Sequence, residues 1–551
     1  MNEQIKYTIG LDFGSLSCRG ILVDVRDGQI AAEASMAYPH GVMSEHLSDG
    51  TPLPADFALQ HPRDFREAMI YIIRELVAQC NGEIIGIAMD TTVSTVLPID
   101  TDFVPLCEKA EFASHPHAWM KMWKHHGAAP QAKRIEEICI EQNAPYLDWY
   151  GGSISSESLF MKAIETFDCD REVYDATACF IEVADYLTSL LAGMPTFSVP
   201  LLKAKAFYDP QKGLYPDTEF LTAFHPDLWD LPDKLTDGFC RKAFPYPGVP
   251  CGKLCSEMAK TLGLPEGIAV SAGTADSYAP IMGIGITGSG QMIMTIGTST
   301  GIMIMSDEEK RVPGVTLSMT DVFYPGKCGY GSGQTSSGDA LGWFSDNCVP
   351  ARYEKEAAER GMSVQQLLTE KAALLPAGSG GVMALDWLNG NKSCLANPHL
   401  SGLFVGLTLS TRPEQMYRAL IEATAFGARA IIENYENCGV PVKEIRAAGG
   451  IVGKNRLLMQ IYADVIGLPI MASQCPQVPA LGAAIFAACA AREYPNYESA
   501  VKAMACKDFD IYVPNPETHN EYNELYAEYL TLHDYFGKGE NRIMERLRGK
   551  K

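Results

Sequence analysis

Two short segments of this 551-residue chain combine residue types that could bind phosphate groups. Residues 9–24 read I-G-L-D-F-G-S-L-S-C-R-G-I-L-V-D, and residues 293–305 read I-M-T-I-G-T-S-T-G-I-M-I-M. Each pattern predicts an apolar strand, a tight turn of Gly, Ser and Thr, and a second apolar strand. Such a turn presents backbone N–H groups and hydroxyls without bulky side chains, which suits phosphate oxygens. The repetition indicates two related lobes that bind one nucleotide.

The first of these hairpins also carries charged side chains. Asp12 stands at the end of a predicted strand, where a carboxylate could hold Mg²⁺ directly or through water. Arg19 could neutralise charge that develops on a phosphoryl group. The alternative is an ordinary hairpin turn with a capping aspartate, but the second hairpin favours phosphate binding. The candidate nucleotide-binding residues of the two hairpins are Asp12 (also the metal candidate), Gly14, Ser15, Ser17, Arg19, Gly297, Thr298 and Ser299.

Asp276 is the candidate catalytic residue. It follows a predicted strand at residues 268–272 and a turn at 273–275, so it is expected at the carboxyl end of a strand. The ligands of α/β sheets bind at this end. A carboxylate there could accept the proton of an attacking hydroxyl. The alternative role is an N-cap for a helix that starts near Ser277.

A pair of glycines in the second half could bind the nucleoside. Gly449 and Gly450 follow a predicted strand and precede a predicted helix at residues 455–465. Without side chains there, an adenine or ribose could lie flat against the backbone, and Asn455 could form a hydrogen bond with it. The alternative is a simple strand-to-helix turn. Residues 453–455 do not form a Walker motif, because the required glycine and the following Ser or Thr are missing.

Two further segments contain residues that could bind a ligand or a metal ion, but a structural or solvent-exposed role is also open for each. Lys203 and Lys205 lie in a partly apolar segment, and one could face a sugar hydroxyl or a phosphoryl group, or both could be solvated. Residues 115–126 read H-P-H-A-W-M-K-M-W-K-H-H. Because no acidic residue stands at zinc-ligand spacing, we favour an amphipathic or pocket-wall helix over a metal site.

The elements that must position these residues predict an α/β fold in two domains. Paired strands, a third strand, a helix at 64–79 and a strand at 83–89 indicate a mixed sheet covered by helices. We expect an N-terminal domain over residues 1–285, with a substrate-pocket insertion at about 105–255. A C-terminal domain over 286–551 repeats the pattern and ends in a helical tail after Tyr512.

Composition limits the partners and the compartment. The formal charge of −22 opposes binding to nucleic acids and anionic membranes. The longest alanine-rich apolar run, at residues 480–491, is too short to span a bilayer, and no leader pattern begins the chain. The sixteen cysteines contain no C-x-x-C pair, which predicts reduced thiols and a cytoplasmic protein.

The paired hairpins, the G-T-A-D segment at 273–276 and the A-G-G turn at 448–450 resemble the FGGY carbohydrate kinases of the actin-like ATPase superfamily. The resemblance covers nearly the whole chain and is greatest to the ribulokinase branch. The segments that carry it are residues 60–65, 117–126, 150–157, 384–393, 406–411, 419–427 and 457–465.

This resemblance implies two ribonuclease H-like domains around a central cleft, the N-terminal one sugar-binding and the C-terminal one nucleotide-binding. ATP and Mg²⁺ are the implied cofactors, and a small-molecule sugar is the implied substrate. The implied reaction converts L-ribulose to L-ribulose 5-phosphate in arabinose catabolism. By position, Asp276 matches the general base, Asp12 the metal-linked acid, Gly297 and Thr298 the second hairpin, and Gly449, Gly450 and Asn455 the adenosine turn. Val93, Ser94 and Lys203 match residues that contact the sugar, as does Asp276.

Two departures from the family pattern leave the sugar open. Gly331 stands where these kinases usually have a sugar-contacting glutamate, and Val93 stands where they usually have a smaller residue. Each change is expected to alter hydroxyl recognition by about 1–3 kcal/mol. The alternative is therefore an FGGY kinase for D-ribulose, D-xylulose or a polyol. A nucleotide-gated interaction protein is a third hypothesis, which the polar-aromatic insertion disfavours, and a homodimer is left as one alternative for the assembly.

Overall fold

The computed structural model describes residues 4–236, 238 and 244–549. The strands are β1 Lys6–Phe13, β2 Ser17–Asp24, β3 Ile30–Ala37, β4 Leu59–Gln60, β5 Glu83–Thr91, β6 Val96–Ile99, β7 Met120–Lys121, β8 Cys179–Glu182, β9 Pro250–Lys253, β10 Ala269–Ser271, β11 Thr274–Ala275, β12 Gln291–Ile296, β13 Thr300–Ser306, β14 Leu317–Thr320, β15 Cys328–Gln334, β16 Met383–Leu385, β17 Leu403–Val405, β18 Glu444–Ala448, β19 Ile470–Ser473 and β20 Phe509–Tyr512.

The helices are α1 Pro62–Gln79, α2 Ala129–Glu141, α3 Tyr146–Trp149, α4 Leu159–Cys169, α5 Arg171–Ala176, α6 Val183–Ala192, α7 Val199–Lys205, α8 Thr218–Phe224, α9 Ser256–Leu262, α10 Ala279–Gly283, α11 Gly338–Asn347, α12 Ala351–Glu359, α13 Val364–Ala373, α14 Pro413–Asn437, α15 Arg456–Ile466, α16 Val478–Ala490, α17 Tyr497–Met504, α18 Pro516–Gly537 and α19 Ile543–Arg548. Short 3₁₀ helices span Leu106–Glu108, Pro116–Ala118, Pro226–Lys234 and Ser379–Gly381. Within the described ranges, no helix combines the length and apolar character that a membrane crossing requires.

The chain divides into two units. Unit one consists of Met1–Thr287, Met319–Lys327 and Gln477–Cys506, and unit two of the three segments Gly288–Ser318, Cys328–Pro476 and Lys507–Lys551. The main sheet of unit one has the order β3-β2-β1-β5-β10-β9, with β11 also paired to β5. β1, β2 and β3 run antiparallel, while β1, β5 and β10 run parallel. The predicted mixed sheet is therefore confirmed.

Helix α1 covers one face of this sheet with the predicted apolar side chains Phe65, Met69, Ile72, Ile73 and Leu76, all of them buried. The helix begins at Pro62, two residues earlier than predicted. A proline fits the first turn because its fixed φ is helical and it lacks an N–H that would need a partner. His61 caps the helix, since its side chain accepts from the backbone N–H of Arg63.

Helix α16 reaches unit one from far along the chain. A Cβ added at Gly10 of β1 would lie 1.9 Å from the Ala480 carbonyl oxygen, and one added at Gly86 of β5 would lie 2.5 Å from that of Ala487. The small residues of α16 and the bare glycines of the strands thus allow backbone to approach backbone. The predicted C-terminal domain over 286–551 consequently needs a correction, because residues 319–327 and 477–506 belong with unit one.

The predicted insertion, residues 105–255, lies in unit one, except that 237 and 239–243 fall outside the described residues. It contains α2 to α8 and contributes β7 and β8 to a small sheet of order β4-β7-β6-β8. The histidine-rich segment at 115–126 forms a 3₁₀ turn and the short strand β7 rather than the predicted helix. The helix prediction is wrong there because Lys121 and His125 turn inward to Glu165, which interrupts an amphipathic pattern.

The main sheet of unit two repeats the plan of unit one. Its order is β14-β15-β13-β12-β18-β19-β20. β12, β13 and β15 run antiparallel, β12, β18 and β19 run parallel, and β20 closes the edge antiparallel. The two predicted hairpins, β1–β2 and β12–β13, therefore occupy equivalent places in two similar sheets. The predicted tail helix is α18, which buries Tyr522, Tyr526 and Tyr529.

Candidate active site

Three carboxyl groups of unit one come together at the ends of neighbouring strands. Asp12 of β1 is paired in register with Asp90 of β5, and Asp90 is paired with Thr274 of β11. Asp276 follows two residues after Thr274, and its backbone N–H donates to the carbonyl oxygen of Thr91 at 2.8 Å. The parallel register thus brings Asp12, Asp90 and Asp276 to the carboxyl edge of the sheet, where α/β folds bind ligands.

Asp90 is the group among these three that sequence reasoning left without a role. Its side chain is buried, and neither carboxylate oxygen meets a hydrogen-bond donor among the described residues. The neighbouring Asp12 carboxyl can donate to it only when protonated. Burial and then the charges of Asp12 and Asp276 raise the pKa of Asp90 well above its usual range. Two orphaned carboxylate oxygens beside Asp12 fit a divalent cation or its water shell, since such ions prefer oxygen ligands.

Asp12 is also buried, and burial raises its pKa. The opposing positive charge is Arg19, its cross-strand partner, whose Nη1 lies 3.9 Å from Asp12 Oδ2. The guanidinium is about half exposed, with 53% of the side-chain surface accessible. Arg19 is therefore only loosely held by Asp12 and can turn toward a second anion.

In the described part of the chain, no group of three or more His, Cys, Asp or Glu side chains is arranged to hold a metal ion.

Asp276 has the electrostatic character of a general base. Burial, followed by the Asp12 charge, raises its pKa to about 7. Hydrogen bonds from the backbone N–H groups of Ser277 and Val93, and the charge of Lys205, act in the opposite direction. A base is most effective when its pKa lies near the working pH. The alternative role as an N-cap is wrong, because α10 begins at Ala279 after Tyr278 and has no side-chain cap.

A backbone hydrogen bond closes the turn between β1 and β2, and two side chains hold Ser15 of this turn in place. The Gly14 N–H donates to the Ser17 carbonyl oxygen at 3.0 Å. Ser15 accepts two hydrogen bonds, one from Gln60 Nε2 to its carbonyl oxygen at 2.8 Å and one from Trp123 Nε1 to its hydroxyl oxygen at 2.9 Å. The Ser15 hydroxyl proton consequently remains available to an acceptor such as a phosphate oxygen.

The predicted sugar-contacting residues fall into two groups. Val93 and Ser94 lie in the loop after β5, and the Val93 N–H is brought to the Asp276 carboxylate. Lys203 is buried, and its ammonium donates to the carbonyl oxygen of Thr320 at 2.8 Å and to its hydroxyl at 3.1 Å. The lysine whose charge acts on Asp276 is instead Lys205, for which the sequence had left two interpretations open.

The second hairpin, in unit two, is also closed by a hydrogen bond from its first glycine, but its turn is one residue shorter than that of the first. The Gly297 N–H donates to the Ser299 carbonyl oxygen at 2.9 Å. The carbonyl oxygens of Gly297 and Thr298 accept from the backbone N–H groups of residues 337–339, where α11 begins. Thr298 and Ser299 are exposed. The hairpin carbonyls are thus turned toward the helix, and its hydroxyls and remaining N–H groups are left for a ligand.

The glycine pair after β18 forms a bare surface. Gly449 has a φ of 117°, and a Cβ there would lie 2.3 Å from the Ile296 carbonyl oxygen. A Cβ at Gly450 would meet nothing within 4 Å. This open, flat backbone fits a planar ring such as adenine. Asn455 is the N-cap of α15, because its side-chain oxygen accepts from the Leu458 N–H at 3.0 Å, which leaves the amide nitrogen as its donor toward a ligand.

Comparison with known proteins gives a consistent family. The family model of the FGGY family of carbohydrate kinases, C-terminal domain, matches residues 292–491. The chain is 42% identical to the ribulokinase of Bacillus licheniformis over 542 residues, which cover 97% of each protein. It is 40% identical to the ribulokinase of Halalkalibacterium halodurans over 554 residues, which cover 99% of this chain and 98% of the relative.

Solved structures share the fold at lower identity. A gluconate kinase from Lactobacillus acidophilus superposes with a TM-score of 0.78 at 20% identity, covering 97% of this chain and 99% of that one. A xylulose kinase from Rhodospirillum rubrum gives 0.78 at 23% identity, covering 96% and 98%. These structures share the predicted α/β fold, and the two similar sheets described above agree with its two-domain plan. From the full-length identity to these relatives and the match of the family model, the chain belongs to the FGGY family of carbohydrate kinases.

Proposed function

We propose that this carbohydrate kinase transfers the γ-phosphoryl group of ATP to the 5-hydroxyl of L-ribulose, in arabinose catabolism. The observation that carries the proposal is the identity of about two residues in five to ribulokinases over nearly the whole chain. The three strand-end carboxyl groups support the reaction type. By this proposal the N-terminal domain mainly binds the sugar and the C-terminal domain mainly binds the nucleotide, with residues 319–327 and 477–506 counted in the N-terminal domain. The homodimer remains a prediction.

Asp276 is proposed as the residue that accepts the hydroxyl proton. Its pKa of about 7 lets the carboxylate form exist at neutral pH while retaining enough basicity to take a proton. The backbone N–H groups of Ser277 and Val93 favour its ionised form. Because Asp276 follows a strand whose register is fixed by β5, its position does not depend on a mobile loop.

The nucleotide is proposed to contact backbone more than charged side chains. The turn residues Gly14, Ser15 and Ser17, together with the second hairpin, would donate to phosphate oxygens, and Arg19 would add a positive charge. Gly449, Gly450 and Asn455 would bind the adenosine. Asp12 and Asp90 would hold Mg²⁺, directly or through its water shell. When bound, this ion would offset the negative charge of the phosphates.

A second candidate function is phosphorylation of another ketopentose or a polyol, and Gly331 favours it. Gly331 lies in β15, and a Cβ there would be 3.3 Å from Leu317 Cβ. The strand therefore offers neither a carboxylate nor much space for one at this position. A sugar hydroxyl that other members of the family bind through that glutamate would need a different partner in this chain.

A substrate screen tests the proposal. Initial rates would be measured with L-ribulose, D-ribulose, D-xylulose, pentitols and glycerol, and the products identified by mass spectrometry and ³¹P NMR. We expect L-ribulose to give the highest kcat/KM and a 5-phosphate product. A higher kcat/KM for another sugar would favour the second candidate, and ATP turnover without any phosphorylated sugar would contradict both.

A further inference from the structure

Two buried side chains of opposite charge form hydrogen bonds with the backbone of the loop after β5, residues 92–95. Lys162 Nζ donates to the Ser94 carbonyl oxygen at 2.5 Å. Glu182 Oε2 accepts from the Thr95 N–H at 3.1 Å. Within the loop, the hydroxyls of Thr92 and Thr95 are 2.8 Å apart and share a hydrogen bond. The loop is thus tied at two successive residues to groups outside itself.

The loop needs such support because its backbone is strained. Ser94 has a φ of 63°, in the left-handed region that disfavours residues other than glycine. A conformation of this kind persists only when the surroundings fix it. Lys162 binds the carbonyl group of Ser94, and Glu182 binds the N–H group of the next residue. Both contacts therefore act on the peptide unit that follows the strained residue.

Lys162 and Glu182 lie in the protein interior, where an unpaired charge is destabilising. Lys162 and Glu182 are 0% and 1% exposed, respectively. Burial lowers the pKa of Lys162 to about 7 and raises the pKa of Glu182 to about 7, and the charge of each residue counteracts the shift of the other. Buried charges are tolerated when paired and hydrogen-bonded, but apolar side chains would fill the same volume without that cost. Lys162 Nζ also donates to the Met122 carbonyl oxygen at 2.8 Å, so this lysine joins the loop to the segment that follows β7.

The loop also carries polar atoms that are free for a ligand. The Ser94 hydroxyl oxygen is buried and has no hydrogen-bond partner in the part of the chain that the structure describes. The neighbouring Val93 directs its N–H to Asp276. An unpartnered hydroxyl one residue from a contact to the candidate base is expected of a loop that binds a hydroxylated substrate.

We propose that Lys162 and Glu182 are positioning residues, which fix the 92–95 loop so that Val93 orients Asp276 and Ser94 meets a hydroxyl of the sugar. This inference rests on the proposed function, because it takes the bound molecule to be the sugar that the chain phosphorylates. Neither residue is proposed to touch the sugar, and both act through the backbone of the loop.

Lys121 provides a matched control. It is another buried lysine, 2% exposed, and it contacts the same helix, donating to Glu165 Oε2 at 2.7 Å and to the Lys162 carbonyl oxygen at 3.2 Å. It makes no hydrogen bond to residues 92–95. Replacing it with methionine therefore removes a buried ammonium of the same cluster without removing a contact to the loop.

The experiment compares Lys162→Met, Glu182→Leu, Glu182→Gln and Lys121→Met in the full chain. The KM for the preferred sugar, the KM for ATP, kcat and the melting temperature would be measured for each variant. We expect Lys162→Met and Glu182→Leu to raise the sugar KM at least about tenfold, the scale of losing one hydrogen bond to a charged group. The ATP KM should stay within about twofold of the wild-type value, because neither substitution removes a proposed contact to ATP.

The two remaining variants separate positioning from packing. Glu182→Gln keeps an oxygen that can accept from Thr95, so its sugar KM should change by less than about threefold. Lys121→Met should lower the melting temperature but leave the sugar KM near the wild-type value. An unchanged sugar KM in Lys162→Met, or an equal rise in Lys121→Met, would overturn the inference.

The test remains decisive if one variant does not fold. Should Lys162→Met be unfolded, the contrast between Glu182→Leu and Glu182→Gln carries the result, and equal sugar KM values in that pair would contradict the inference. Failure of the proposed function would appear in the wild-type protein as a different preferred sugar or none. The variants would then be scored on the preferred sugar, and absence of any phosphorylated sugar would overturn both proposals.

Discussion

The candidate residues of unit one include three buried carboxyl groups, whereas those of unit two offer exposed backbone and hydroxyls. At the sheet edge of unit one, Asp12, Asp90 and Asp276 gather three carboxyl groups, and burial raises the pKa of each. In unit two, the equivalent sheet ends in a hairpin with exposed Thr298 and Ser299 and in the bare Gly449–Gly450 turn. Sheets of similar topology thus carry different functional groups, because the few residues that follow each strand determine which groups lie at the edge of the sheet.

The largest effect should come from removing the proposed base. Asp276→Asn is expected to lower kcat by at least about a hundredfold, the usual contribution of general base catalysis, while ATP binding stays unchanged. Coupled kinase rates and calorimetric titration with ATP would measure the two quantities. Asp49→Asn, in an exposed loop, is the control that should leave both unchanged. Wild-type turnover in Asp276→Asn would show that charge at this edge is not needed for proton transfer.

The pH dependence tests the same residue without a mutation. Because the pKa of Asp276 is raised to about 7 and the carboxylate is the active form, kcat/KM for the sugar should fall as pH decreases through 7. At pH 6 it should be about tenfold below its alkaline plateau, since one pH unit below a pKa leaves about a tenth of the base ionised. A flat profile between pH 6 and 8 would exclude Asp276 as the titrating group.

The same raised pKa has an effect on stability with a defined sign. The folded state binds the Asp276 proton more tightly than the unfolded chain, so ionisation of this group costs stability as pH rises from about 4 to above 7. Asp276→Asn removes this cost. We therefore expect the variant to melt no lower than the wild-type protein at pH 8, which thermal denaturation would measure. A marked loss of melting temperature at pH 8 would mean that the carboxylate stabilises the fold.

A smaller effect is expected from filling the bare turn of unit two. Gly450→Ala meets no atom within 4 Å in the protein itself, so its stability should be unchanged. If adenosine lies on this surface, the added methyl group should raise the ATP KM about fivefold, within the range for mismatched pocket contacts. Gly453→Ala, which also has open space around it, is the matched control. Equal ATP KM values in the two variants would place the nucleoside elsewhere.

The smallest effect should come from Arg19→Gln. Because this guanidinium is about half exposed and 3.9 Å from Asp12, its interactions are screened by water. We expect kcat to fall about threefold, as for a modest electrostatic contribution at an exposed site, with little change in melting temperature. Steady-state kinetics at low and high salt would measure it. A loss as large as that of Asp276→Asn would show that Arg19 is buried against the phosphates during the reaction.

Local patterns predicted the hairpins, the long helices and Asp276, because each depends on a few consecutive residues. The register that aligns Asp90 with Asp12 depends on the pairing of β1 with β5, so the sequence showed Asp90 only as the end of a strand. The same limit applies to Lys162, whose partner Ser94 is 68 residues away. The histidine-rich segment misled the prediction because its polar residues have buried partners in α4. Side-chain roles at the candidate site remain predictions that the experiments above test.

The return of α16 to unit one has a consequence for how this protein is made. On a ribosome that has released only the first 470 residues, the faces of β1 and β5 around Gly10 and Gly86 have not yet received the helix that packs on them. Most of unit one is therefore synthesised first, but its fold cannot be completed before residues 477–506 leave the ribosome. Such long-range completion slows folding and exposes apolar surface in the meantime. Nascent chains that stall before this helix should depend on chaperones more than chains that stall after it.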